Sequence, residues 1–234
     1  MGPTKKGVSV RAHLVLSFFG LLILCSCVSC TRDKGTPTVG CGGAGLVERD
    51  GRYYRESSDS PYSGECLSHH QNGQLSEKGA FRRGSKHGEW SYHYEDGTVK
   101  ARGHFKDGSE HGEWIHYDSS GAVWSKGLFK DGKRHGEWID YWPHGGVQSK
   151  GLFKDGKTDG EVVYYHENGK VERKGPLKDG REHGEWSFYR ENGTVSTKGL
   201  FKDGKRHGEW IGYHETRAVK GKVLFEDGEV IRSQ

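Results

Sequence analysis

Nowhere in this 234-residue chain do twenty apolar residues follow one another. Its most apolar stretch, residues 14–24, stops well short of the ~20 that a membrane-spanning helix needs. Methionine occurs once and proline five times, and hydrophobic residues make up only 31% of the chain, while glycine supplies 38 residues. That supply is too poor for a thick two-layer core and points to a thin, repetitive architecture. Charge of one sign is scarce as well. The formal excess of +4 includes Lys5, Lys6 and Arg11, so without residues 1–26 the chain holds 33 basic against 32 acidic groups. No net positive field draws in nucleic acid or anionic lipid from a distance, and no nucleic-acid partner is expected.

The first thirty residues differ in kind from the rest. A basic head, a short apolar run and small residues around Cys25, Cys27 and Cys30 read as an export signal, residues 1–26, followed by a tether, residues 27–45. Leu24-Cys25-Ser26-Cys27 resembles a bacterial lipobox, which makes Cys27 the lipidated residue, with Cys30 as the alternative. The expected location is therefore outside the cytoplasm, membrane-anchored as a lipoprotein of the outer membrane or cell surface, or else secreted. Cleavage before Cys30 leaves Cys41 and Cys66 as a candidate disulfide; cleavage before Cys27 leaves an odd set.

Beyond the tether, one period governs the chain. Gly64, Gly88, Gly112, Gly136, Gly160, Gly184 and Gly208 all precede glutamate at a constant step of 24, and Phe81, Phe105, Phe129, Phe153, Leu177, Phe201 and Phe225 keep the same step. Turn glycines at 73, 97, 121, 145, 169 and 193 and the basic residues Lys78, Arg102, Lys126, Lys150, Lys174 and Lys198 keep it too. Uninterrupted self-similarity of this length is the signature of a stacked array.

Within each period, two stretches rich in aromatic and β-branched residues flank an Asn-Gly-like pair, and Asp-Gly follows the second. Both dipeptides supply the positive φ angles of tight turns, so the chain reverses twice per repeat. The fold class is all-β: an elongated, single-layer antiparallel meander of about seven 24-residue hairpins over residues 46–230, with a tail at 231–234. A two-residue turn at His144-Gly145 pairs Val147 with Trp142, Ser149 with Asp140 and Gly151 with Trp138, which sets tryptophan across from glycine and places Trp138, Trp142, Val147 and Phe153 on one face. If Asp-Gly closes a two-residue loop, Glu89, Glu113, Glu137, Glu161, Glu185 and Glu209 face Lys78, Arg102, Lys126, Lys150, Lys174 and Lys198. The repeated His-Gly-Glu-Trp string marks the start of a strand.

The recurring pattern, with its Asn-Gly, basic-Gly and "FKDGKxHGEW" segments, resembles the MORN repeat, in the bacterial variant often labelled antitoxin-like. That resemblance implies a single-layer sheet used as a scaffold or interaction surface. Asp159, Val162, Cys66, Arg217 and Val223 depart from the pattern.

Equivalent residues of successive hairpins lie two strands, or about 10 Å, apart. His87, His111, His135, His183 and His207 therefore do not converge on one zinc ion, whose nitrogens must stand within ~2.1 Å; each is expected to hydrogen-bond a turn. The same spacing argues against a catalytic cluster, and no catalytic residue, metal or cofactor is expected. Surplus side chains of the middle units, Tyr94, Trp124, Trp142, His144 and His166, are the expected contact points. The expected function is a non-enzymatic scaffold of the bacterial envelope binding a protein or other macromolecule. Neutralisation of a toxin is the alternative, and an enzyme acting on cell-wall glycan is a second.

Metabolic labelling with a fatty-acid analogue tests the tether. Label is expected on the wild type and on Cys30→Ala and lost in Cys27→Ala; an unlabelled wild type refutes the anchor.

Overall fold

A computed structural model describes residues 40–41 and 45–234; the expected export signal, Cys27 and Cys30 lie outside the described residues. Every regular element among the described residues is a β-strand, in a two-stranded hairpin (Leu46–Arg49 with Arg52–Arg55) and a 16-stranded antiparallel sheet running from Gly64–His69 to Glu229–Ser233. Apart from the two-residue strand Arg181–Glu182, which pairs only with the strand before it, each strand of the large sheet pairs with its sequence neighbours, so the topology is the expected meander.

The two turns of each repeat differ. At the Asp-Gly end, Lys154 pairs with Lys157 and both loop residues have positive φ, 51° at Asp155 and 87° at Gly156. This is the mirror-image type I turn, whose twist matches that of the strands. At the other end the loop has three residues. Trp142 N–H donates to the Gly146 carbonyl, Gly145 alone takes positive φ, and Val147 pairs with Tyr141. The expected partnering of Val147 with Trp142 is thus corrected. A bulge at this turn absorbs one residue, and Ser149–Asp140 and Gly151–Trp138 then pair as expected.

A second irregularity displaces the expected Glu–Lys pairs. The Asp-Gly loop does close in two residues, but Leu128 pairs with His135 while Gly127 pairs with Trp138, leaving Gly136 and Glu137 unmatched on that side. The bulge lies within the strand Lys133–Tyr141, so His-Gly-Glu-Trp does not mark a strand start. Gly136 takes φ of 67°, a left-handed conformation that a side chain would strain. Two residues of slip put Lys126 opposite Ile139 instead of Glu137, and the same happens at Lys78, which faces Ser91. Of the six glutamates, only Glu209 is ion-paired among the described residues, and its partner is Lys222, at 3.0 Å.

The slip also seats the tryptophans. A Cβ built on Gly127 would stand 2.3 Å from Trp138 Cδ2, and Gly79, Gly103, Gly175 and Gly199 are covered in the same way by Trp90, Trp114, Trp186 and Trp210. Each indole N–H donates to the carbonyl of the residue after that glycine, as from Trp138 to Leu128 at 2.9 Å. Phenylalanines meet the rings edge-on, at 5.1 Å and 89° for Phe129–Trp138, and Phe105 and Phe129 each touch two tryptophans. This one-residue-deep ladder is the core, with Trp90, Trp114, Trp138, Trp186 and Trp210 all buried. It is interrupted at the unit of residues 158–179, where Val162 and Leu177 replace the rings.

The first strand carries Cys66 in the tryptophan position, fully buried and disulfide-bonded to Cys41. Cys41, Leu46, Tyr62 and Phe81 pack together there, and the small hairpin joins the sheet through Tyr53 N–H to the Gly84 carbonyl at 2.9 Å. The exposed side of the first Trp–Phe layer is thereby covered.

Gly127→Ala and Gly151→Ala separate these roles. Both glycines face tryptophan in register, but a Cβ at Gly151 meets nothing nearer than Val162 Cγ2 at 3.2 Å. Gly127→Ala is expected to cost ~2–3 kcal/mol through overpacking and Gly151→Ala about 1 kcal/mol or less, read from urea unfolding midpoints.

Candidate binding surface

One line of side chains crosses the tryptophan face without following the repeat. Tyr92 pairs with Ala101, Ala101 with His116, His116 with Ser125, Ser125 with Asp140 and Asp140 with Ser149. The line continues through Tyr164, Arg173, Phe188 and Thr197 to Gly212 and Gly221. The ladder beside it is nearly invariant, whereas this row holds a different chemical group at almost every ~4.8 Å step. The identical units therefore act as a rigid rack for non-identical side chains.

Aromatic members of the row slot between tryptophans. Tyr92 stacks on Trp90 and Trp114, both at 6.2 Å, and His116 stacks on Trp114 and Trp138 at 6.2 and 6.1 Å. The middle of the row is polar. Ser125, fully buried, donates to Asp140 Oδ1 at 2.7 Å, and Ser149 donates to Oδ2 at 2.9 Å, so one carboxylate ties three strands. Burial, then the positive charge of Arg134, holds the His116 imidazole below its ordinary range. Farther along, the Arg173 guanidinium lies 4.1 Å from the Tyr164 ring centre, and its buried Nε has no hydrogen-bond partner.

A second row borders the ladder at the Asp-Gly end. Lys86 Nζ sits 3.9 Å over Trp90, Arg134 4.1 Å over Trp138 and Arg206 4.4 Å over Trp210, the geometry of cation–π contacts. Lys86 also reaches Tyr92 Oη at 3.0 Å and Glu77 at 3.4 Å, and its burial lowers the ammonium's affinity for its proton. Glu110 occupies the same position over the next unit, where burial raises its carboxyl above the usual range. Gly51, Tyr53, Lys86, Phe105 and Gly108 line a hollow of about 480 Å³ under the small hairpin.

The five expected contact residues divide between row and turns. Trp124, 44% exposed, fills the bulge between Val123 and Ser125, and its ring lies 5.5 Å from His116, beside the polar stretch of the row. Tyr94 and His166 open their loops and reach the next repeat, Tyr94 Oη donating to the Tyr117 carbonyl at 2.8 Å and His166 Nε2 standing 3.1 Å from the Tyr189 carbonyl. Trp142 holds the equivalent loop position, but its buried Nε1 has no partner. His144 is exposed at the loop tip. The row itself escaped the sequence reading, although its signal is there: the second residue after tryptophan is the one that varies within the period.

The expected hydrogen bond from histidine to a turn is not made through Nδ1 in four of the five repeats. In His87, His111, His183 and His207 that atom is buried and unpartnered, and His87 and His183 approach Asp107 and Asp203 of the following turn only at 3.7 and 3.6 Å. The bulge places the imidazole beside the neighbouring turn's Asp but too far for a bond. Among the described residues no three His, Cys, Asp or Glu side chains gather where they could hold a metal ion. Residues 151–158, Gly-Leu-Phe-Lys-Asp-Gly-Lys-Thr, match the spacing of a phosphate-binding loop, which requires a helix after the second glycine. Here Gly156 closes a hairpin and a strand follows, so the match carries no phosphate cradle.

The family model for the MORN repeat variant matches five consecutive segments of the chain, residues 86–107, 110–131, 134–155, 158–179 and 182–203. No curated protein matches the chain. Among solved structures, a porin-like protein from Bacteroides uniformis ATCC 8492 aligns over 76% of this chain and 90% of its own, at 10% identity and a TM-score of 0.22, too low to relate the two folds.

The lowered His116 pKa fixes the sign of a pH effect. The folded state disfavours the imidazolium relative to the unfolded chain, so the stability tied to neutral His116 is present above the unfolded pKa and declines as pH falls below it. The thermal midpoint is expected to drop between pH 7.5 and 5.5, and His116→Tyr, which copies Tyr92 and Tyr164, is expected to reduce that drop while preserving the fold. An equal drop in both proteins contradicts the assignment.

Proposed function

Because the chain is a MORN-repeat protein, we propose that it is a non-enzymatic scaffold of the bacterial envelope whose variable row on the tryptophan face binds a protein partner. The observation behind this reading is the contrast between an invariant ladder and a row that changes at nearly every strand. Packing explains the ladder's constancy and seats individual members of the row, such as Arg173 over Tyr164, but it does not call for a different group at nearly every strand. A rigid, pre-formed surface loses little conformational entropy on binding, and Trp124 and Tyr164 with Arg173 supply the aromatic and guanidinium groups that anchor protein interfaces.

A scaffold role also suits an open sheet whose groups are spread out instead of converging. The export signal and Cys27 direct the proposed protein to the envelope, held there by a lipid anchor. Neutralisation of a toxin is the same surface with a toxin as its partner, and the export signal restricts that partner to an exported one.

A photo-crosslinking residue at Tyr164 or Trp124, compared with one at Lys150 on the opposite face, tests the surface in living cells. A discrete crosslinked protein is expected from the first two positions, and its yield is expected to fall several-fold when Arg173 is changed to Ala. Crosslinks from Lys150 alone, or yields indifferent to Arg173, refute the proposed face.

A further inference from the structure

In one unit of the row the second residue after tryptophan has no side chain at all. In three units the second residue after tryptophan lies against that tryptophan: Tyr92 on Trp90 at 6.2 Å, His116 on Trp114 at 6.2 Å and Phe188 on Trp186 at 6.3 Å. In the unit of Trp210 that residue is Gly212, and the residue across from it is Gly221. Trp210 receives Phe188 of the preceding unit at 5.8 Å and, edge-on, Phe201 at 5.0 Å and Phe225 at 6.2 Å, but no ring from its own strand. Two consecutive glycines in the row leave a slot of about 310 Å³ beside Trp210, at the small end of the range for ligand sites.

The slot's walls specify what it takes. Trp210, Phe225 and Val223 give it an apolar lining, and Arg206 and Lys220 stand at its sides. Neither cation has an ion-pair partner among the described residues, and the nearby Lys222 and Glu209 neutralise each other at 3.0 Å. We propose that this slot binds a small planar aromatic carboxylate, whose ring takes the stacking place vacated at Gly212 and whose anion is met by Arg206 and Lys220. Aromatic rings favour offset or tilted stacking at 4.5–7 Å, the separations already present along the row. The site is separate from the proposed partner-binding stretch around Trp124 and Arg173 and does not depend on it.

The repeat supplies its own control. A Cβ at Gly212 would meet nothing closer than the Gly221 carbonyl at 3.7 Å, so a side chain is tolerated there, whereas Gly221 is blocked by the Gln234 carbonyl at 2.9 Å. Gly212→Phe copies Phe188 and is expected to fill the slot with the fold intact. The probe is indole-3-acetate with its neutral amide, titrated into the full exported chain and followed by saturation-transfer NMR and calorimetry. Saturable binding of the acid to the wild type is expected, weakened roughly tenfold or more in Gly212→Phe. Arg206→Gln with Lys220→Gln is expected to weaken the acid and leave the amide unchanged. An unaltered circular dichroism melt of Gly212→Phe shows that any loss comes from the slot. If the wild type shows no saturable binding, or if Gly212→Phe binds as tightly, the slot is a degenerate end unit only and the proposal is overturned.

Discussion

The stacking of an indole ring on a bare glycine backbone one strand away is the contact on which the rest of this structure depends. A single-layer sheet has no second layer to shield its apolar face, and its strands cannot bury a side chain between sheets. Tryptophan laid flat on the neighbouring glycine solves this within one layer, since the ring covers backbone, fills the missing Cβ position and hands its N–H to the adjacent carbonyl. The two-residue bulge at His-Gly-Glu is the device that brings the ring there. Without it Lys126 would face Glu137, Trp138 would lose its register with Gly127, and the ladder would not form.

The bulge also accounts for the histidines. Their regular recurrence beside a carboxylate invites a chemical reading, yet they sit at the register slip, with Nδ1 shielded in four of the five and the turn Asp beyond hydrogen-bonding distance at His87 and His183. Turn-to-turn bonds do the corresponding work elsewhere. At the Asp-Gly edge each turn glycine donates to the carbonyl of a residue in the preceding hairpin, as Gly132 does to Glu110 at 3.0 Å, and at the opposite edge Tyr94 and His166 reach across with their side chains. Both rims are thus tied repeat to repeat, and the strands between them are held in register.

Much of this was legible in the amino-acid string, because a 24-residue period and paired turn dipeptides admit few arrangements other than a meander. Ser149 opposite Asp140 and Gly151 opposite Trp138 were expected from a two-residue turn at His144-Gly145, and they hold because the bulge beside the longer loop restores the same register. Two features did not follow. A bulge adds residues to one strand without altering the period, so counting outward from Asp-Gly predicts Glu–Lys pairs that the slip removes. The row was missed for a related reason: attention to residues that stand out, such as Trp142 or Tyr94, selects loop positions, whereas the row consists of ordinary residues whose significance lies in sharing one line.

The unit of residues 158–179 shows how the ladder and the row depend on one another. With Val162 in place of tryptophan, no ring rests on Gly151, and the chain of ring contacts that runs from Phe81 to Phe153 resumes only at Trp186. Burial is nonetheless maintained on this face, because Val162 is covered and Arg173 spreads over Tyr164 toward Trp186, at 4.1 and 6.0 Å from their ring centres. A side chain of the row has taken over part of the task of the ladder. An array in which each unit touches only its neighbours tolerates such an exchange locally, since the cost falls on two interfaces and leaves the others intact. The row's freedom to vary is therefore bounded by the ladder: where the tryptophan is present the row can be as small as glycine, and where it is absent the row must supply the cover itself.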